Sequence, residues 1–212
     1  MSDQTTVTEI ETARAAMDAL PEAGLDLLFR KAHTHNGWSD RPVDPADLER
    51  IVDLARMAPT AMNCQPLRVI FVTSAAGKAR LEPCLAEGNR AKTMAAPVTA
   101  ILCWDRDFWL NMPDLAPHMA DPTGPFRDKP EAQAQAARLN GTLQAGYFIM
   151  AARSIGLDCG PMGGFDKAGI ADAFFEGRNW EANILVNLGH GDPAAVRPRA
   201  PRLEFARMAQ VV

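Results

Sequence analysis

Between Asp44 and Val72 the sequence switches from helical to strand periodicity across one short loop, so a helix must feed almost directly into a core strand. Asp44-Pro45 has the form of an N-cap followed by proline at the first helical position, and predicts a helix running to Met57. Leu48, Ile51, Val52, Leu54 and Ala55 give that helix an apolar face. Pro59 stops it, and Thr60, Asn63 and Gln65 follow in a polar loop. Pro66 then opens Leu67 to Val72, a run rich in β-branched and aromatic residues that reads as a buried strand. A loop hung between two such elements is a rigid place for polar groups. Its uncharged side chains can donate and accept hydrogen bonds, which suits the edge of a neutral ring with imide-like groups.

Residues 67–73, 98–104 and 184–189 read as strands, each a short apolar run with turn residues nearby. A long helix is expected over Glu131 to Gly156. Its many small residues, Gly141 and Gly146 among them, fit close contact with a sheet, with a second subunit, or with a plain core. Residues 1–24 form a polar, alanine-rich N-terminal extension with helical character from Thr8 to Leu20, interrupted by Pro21 and Gly24. A second helix is expected over Leu25 to Ala32. Five prolines and one glycine between 105 and 130 predict an irregular excursion, and segments of this length are usually lids or binding loops. Together these elements describe one mixed helix–sheet domain over residues 25–212, long enough for a sizeable core.

The net charge of −4 argues against a nucleic-acid partner, although residues 197–207 carry four arginines against one glutamate. No apolar run approaches the roughly 20 residues of a membrane span. Cys64, Cys84, Cys103 and Cys159 lack metal-ligand spacing, and no signal peptide is visible, so a reduced, cytoplasmic protein is expected. His33 and His35 form a His-x-His without a companion cysteine or carboxylate pattern, and His118 and His190 are isolated; no metal site is expected. No Gly-x-Gly-x-x-Gly follows a strand, and there is no Gly-x-Ser-x-Gly elbow. A Rossmann nicotinamide site and acyl hydrolysis are therefore without support.

Gly160-Pro161-Met162-Gly163-Gly164 lets the backbone approach a planar ring, because two successive positions carry no side chain. Asn140, unfavourable in mid-helix, needs a polar partner: either a ligand or a neighbouring loop.

Four stretches, in order, resemble the nitroreductase family of flavin enzymes. Ala58 to Pro66 is similar to that family's Ala-Pro-Ser-x-x-Asn-x-Gln-Pro loop, and Gly160 to Asp166 to its flavin-facing loop. Asn183 to Asp192 resembles its late core strand, and Arg197 to Phe205 its arginine-bearing tail. The resemblance runs from about residue 25 to the C-terminus. Thr34 to Trp38, Ala96 to Ile101 and Asp172 to Gly177 resemble one branch, the malonic semialdehyde reductases of bacterial pyrimidine (uracil) breakdown.

The resemblance implies an α+β fold whose mixed, mainly antiparallel sheet is flanked by helices. It also implies a homodimer with the long helix at its interface, and FMN in interface clefts. NADH or NADPH would be the electron donor. Hydride chemistry would belong to the flavin, so no catalytic acid or base is assigned. The implied cofactor-binding residues are His33, Thr34, Asn36, Pro59, Thr60, Asn63, Gln65, Asn140, Pro161, Met162, Gly163, Gly164, Arg197 and Arg199. Gly164 would offer its N–H to the reactive ring nitrogen.

The implied reaction is reduction of a small aldehyde, malonic semialdehyde to 3-hydroxypropionate. The alternatives are a broad nitroarene or quinone reductase and a non-catalytic flavin-binding protein. A substrate carboxylate would need a cation, with Arg41, Lys92, Arg106 and Arg127 as candidates.

Two departures stand out. Gly163 occupies a position where many relatives have glutamate. Ala32-His33-Thr34-His35-Asn36 replaces the usual Arg-x-Ser-x-(Arg/Lys) phosphate motif, which shifts that task toward His33, Arg197 and Arg199, with Arg202 nearby.

Overall fold

The computed structural model describes residues 4–212. In chain order the elements are α1 (Gln4–Ala16), α2 (Glu22–Leu25), α3 (Pro45–Ala55), β1 (Leu67–Val72), α4 (Ala75–Leu81), α5 (Glu87–Ala95), β2 (Val98–Asp105) and α6 (Met112–Leu115). They continue with α7 (Pro130–Ser154), β3 (Asp158–Met162), α8 (Lys167–Phe174), β4 (Trp180–Gly189) and α9 (Phe205–Met208). The fold is α+β. Its four strands are ordered β1-β2-β4-β3 and every pairing is antiparallel. Among the described residues, the parallel component of the expected mixed sheet is a single bridge, Thr34 to Cys159.

β2 is buried along all eight residues, because both faces of the sheet are covered. Successive side chains point to opposite sides, so Val98, Ala100 and Leu102 join α3 and α7 in one cluster. Ile101 and Cys103 face the other way, into a cluster with Leu81 of α4 and Ile170 of α8. Asp44 caps α3 as expected, its carboxylate accepting the Ala46 N–H at 2.9 Å. On the expected apolar face of α3 only Ile51 and Ala55 are buried, while Val52 and Leu54 are exposed.

The small residues of α7 seat it against the sheet. A Cβ added at Gly141 would lie 2.8 Å from the Trp104 Cβ, so only glycine permits this approach. The opposite side of α7 exposes Leu139, Leu143 and Tyr147. Although α7 is long, no helix is long and apolar enough to cross a membrane among the described residues.

Three local readings differ from the structure. The helix expected over 25–32 starts at Glu22 and passes into a π turn, Asp26–Arg30, closed by the Lys31 N–H on the Asp26 carbonyl at 2.8 Å. Gly160-Pro161-Met162, read as loop, forms most of β3; Pro161 fits because β3 is an edge strand and needs no second row of ladder donors. The 105–130 excursion is short of regular structure but well packed. Phe108, Met112, Ala116 and Phe126 form a third core with Cys64, Trp104 and Ala137. In the N-terminal extension, Gln4 to Ala16 is helical with no buried residue, and the first three residues lie outside the described ones.

Candidate functional site

The loop after α3 is unusually constrained. Met62, Asn63 and Gln65 all have positive φ (55°, 56° and 40°), a region that costs most residues about 1–3 kcal/mol. The conformation persists because side chains hold it from every side. Asn140 accepts the Ala61 N–H at 2.8 Å and donates to the Ala136 carbonyl, also at 2.8 Å. Asn63 donates to the Leu115 carbonyl at 2.9 Å and accepts from the Gln65 amide at 2.8 Å. The Thr60 hydroxyl accepts the Gln65 N–H. Arg68 clasps the exit of the loop, donating to the Gln65 and Leu67 carbonyls and pairing with Asp105 at 2.9 Å. Sequence reasoning missed Arg68 and Asp105, which lie outside the recognisable motif. Pro59 and Asn63 are exposed at the loop surface. Cys64 is buried beneath it, and burial pushes its thiol up to about 11, so it is not a nucleophile near neutral pH.

The second group of residues gathers elsewhere. His33, Thr34, Asn36, Arg197 and Arg199 line one cleft of about 490 Å³. Arg153, from the last turn of α7, and Arg202 line it too, and no carboxylate does among the described residues. Arg199 reaches back to the Ala32 carbonyl and so ties the C-terminal tail to the 32–36 segment. That segment is fastened to β3 by the Thr34–Cys159 bridge and by the His35 N–H on the Cys159 carbonyl at 3.0 Å. A Cβ at Gly160 would come within 2.6 Å of the His35 carbonyl, which explains that glycine.

Beyond β3 the chain turns toward the N-terminus of α5. The Asn89 side chain donates to the Gly164 carbonyl at 2.8 Å, and the Ala86 N–H donates to the same oxygen. A Cβ at Gly164 would sit 2.6 Å from the Asn89 amide nitrogen, whereas one at Gly163 would meet nothing within 4 Å. Neither the Gly163 nor the Gly164 N–H donates a hydrogen bond among the described residues. Pro161 is half-buried and Met162 buried in β3. Asn89 is a further contributor that sequence reasoning did not single out.

The two groups lie at opposite corners of the sheet. Thr34 adjoins Cys159 on the β3 edge, and Cys159 lines up through Leu188 with Val98. Gln65 precedes Leu67 on the β1 edge, and Leu67 faces Trp104 at the far end of β2. Three strand spacings across and six residues along separate them by about 25 Å. Asn140 is committed to the loop, on the Gln65 side.

The chain is similar to several known proteins. A Leptothrix cholodnii protein provisionally named NADH dehydrogenase/NAD(P)H nitroreductase is 56% identical over 187 residues, covering 88% of this chain and 95% of that one. A similarly named protein of Stenotrophomonas maltophilia is 50% identical over 193 residues, 91% of this chain and 98% of that one. Among solved structures, a protein from Exiguobacterium sibiricum in complex with FMN superimposes with a TM-score of 0.78 at 19% identity, covering 92% of this chain and 98% of that one. A Bacillus subtilis protein provisionally described as a nitroreductase gives a TM-score of 0.81 at 19% identity, over 91% of this chain and 100% of that one. The profile of the nitroreductase family matches residues 30–190, and with this match and these relatives the chain belongs to the nitroreductase family.

Proposed function

We propose that this chain is an FMN-dependent NAD(P)H oxidoreductase that works as a homodimer and reduces a small aldehyde, malonic semialdehyde, to 3-hydroxypropionate. The observation that carries the reading is the convergence of His33, Thr34, Asn36, Arg197 and Arg199 on one carboxylate-free cleft. Guanidinium groups and neutral donors in such a cleft match a phosphate monoester with its polar chain. Two further features fit a flavin: the open space over Gly163 and the uncommitted N–H of Gly164. The 59–65 loop, about 25 Å away within one chain, meets this half-site when supplied by a second copy.

Within the dimer the residues divide the work. Arg197, Arg199, Thr34 and Asn36 hold the phosphate and its chain, with His33 beside them. Gly164 directs its N–H at the ring, while Asn89 keeps the loop in place. Thr60, Asn63 and Gln65 read the polar edge of the ring, and Asn140 fixes their loop. FMN, when bound, supplies the capacity to accept two electrons from NAD(P)H and pass them on. One NAD(P)H and one proton are consumed for each aldehyde reduced to alcohol.

The substrate carboxylate needs a cation that is not already paired. Arg106 pairs with Glu181 at 3.3 Å and Arg127 with Asp121 at 2.9 Å. Arg41 and Lys92 are in no ion pair among the described residues, and of these two Lys92 lies one turn of α5 beyond Asn89, on the side of the Gly163–Gly164 loop. We assign the carboxylate to Lys92.

The test is anaerobic. Bound flavin should bleach on adding NAD(P)H, and its spectrum should return on adding malonic semialdehyde. Return with a nitrofuran but not with the semialdehyde would favour a broad nitroarene or quinone reductase. Failure to bleach would favour a flavin-binding protein without turnover.

A further inference from the structure

The sequence around 32–36 has lost both cations of the usual phosphate motif, yet the cleft beside it is rich in positive charge. We propose that Arg153, at the other end of the fold's longest helix, supplies the missing cation and contacts the cofactor phosphate directly. The inference rests on FMN occupying this cleft, as argued above.

Three observations support it. Arg153 lines the same cleft as His33, Thr34, Asn36, Arg197 and Arg199. It is half-buried and fixed, one guanidinium nitrogen donating to the Leu28 carbonyl at 3.1 Å. That carbonyl lies in the π turn Asp26–Arg30, near the end of a helical segment where carbonyls lack partners along the chain. Tethering uses one of the five guanidinium N–H groups, and the others remain for an anion. No carboxylate pairs with Arg153 among the described residues.

Electrostatics favours a cation at this position. The C-terminus of α7 lies at Ser154 and carries the negative end of the helix dipole, which repels a phosphate nearby. A last-turn arginine reverses the sign of that field. The alternative already visible in the sequence, Arg202, is exposed and donates to the Ala200 and Pro201 carbonyls of its own tail. Arg153 instead is half-buried on a helix packed against the sheet and tethered to the Leu28 carbonyl, so it holds its position before the ligand arrives.

The experiment compares FMN with riboflavin, which lacks the phosphate, in fluorescence-quenching titrations of the full-length protein. Arg153→Gln should weaken FMN about 10- to 100-fold, the range of a lost charge-assisted contact, and leave riboflavin unchanged. Arg153→Lys should recover part of the loss, and inorganic phosphate should compete with FMN less well in Arg153→Gln than in the wild type. Equal weakening of FMN and riboflavin would overturn the proposal and make Arg153 a purely structural tether of the π turn. Unchanged FMN affinity in Arg153→Gln would also overturn it. Wild-type protein that binds neither flavin would instead remove the FMN reading beneath it.

Discussion

Lys78 carries its charge into the interior with no carboxylate beside it among the described residues. It is 7% exposed, and its Nζ donates to the Thr93 carbonyl at 2.8 Å and the Thr99 hydroxyl at 2.6 Å. Thr99 donates to Asn187, Asn187 to the Thr93 hydroxyl, and Thr93 reaches the Met162 sulfur, so the network ends beside the Gly163–Gly164 loop. Burial lowers the Lys78 pKa from 10.5 to about 8. The unfolded chain therefore binds more protons than the folded one between those values, and stability from this group rises with pH there. The buried thiols act oppositely. Burial raises Cys64 to about 11 and Cys103 and Cys159 to about 12, from 9.0, so their contribution is intact below 9.0 and falls as pH climbs beyond it. Between pH 8 and 9 the two effects oppose each other and nearly cancel. Urea titrations should therefore show the stability of the wild type, relative to Lys78→Met, rising by about 1 kcal/mol from pH 8 to pH 9, because the thiols contribute alike to both proteins. The two adjacent glycines make a second pair of tests. Gly164→Ala should cost about 1–2 kcal/mol and weaken FMN binding, because its Cβ displaces Asn89. Gly163→Ala, opening into empty space, should melt within a degree or two of the wild type.

At the scale of elements, the sequence was most legible where periodicity was strongest. β1 and β2 run over nearly the residues expected, and α3 starts at its cap. The long helix was also placed closely, at Pro130–Ser154. The strand β3 was hidden because Gly160 and Pro161 carry loop propensity, and only tertiary pairing with β4 makes them extended. The motif loop was visible as residue types but its shape was not. Nothing local in Met62 or Gln65 announces positive φ; it is imposed by Asn140, Leu115 and Arg68 from outside. That dependence is testable. Arg68 and Asp105 have side chains 27% and 12% exposed, so removing either partner leaves a partly buried charge unmatched. Arg68→Met or Asp105→Asn should each destabilise by about 2–3 kcal/mol in urea unfolding. The double variant should cost less than the sum, because the second change removes the orphan left by the first. Additive costs would mean that the two residues act separately on the loop.

For the whole molecule, the proposed site draws on two groups of residues that one chain's own sheet keeps apart, and on that proposal assembly is part of the chemistry. The surface gives a physical reason for a second copy. Leu139, Leu143 and Tyr147, four residues apart on α7, are 67%, 46% and 43% exposed, and Met57, just past the end of α3, is 70% exposed. A stripe at that spacing lies along one line of the helix, and apolar rows of this kind are usually covered. Because α3 packs on α7 and leads into the 59–65 loop, covering the stripe with a second chain would also bring a second loop close. The wild type should therefore sediment at twice its 23.0 kDa chain mass and carry flavin. Leu139→Glu with Leu143→Glu places two charges in that contact, each far from the cleft lined by Arg197 and Arg199. The variant should sediment as a folded monomer with native far-ultraviolet circular dichroism, and its FMN affinity should fall at least tenfold. A monomer that kept full affinity would mean that one chain builds the site alone, and a variant that stayed dimeric would place the interface on another face.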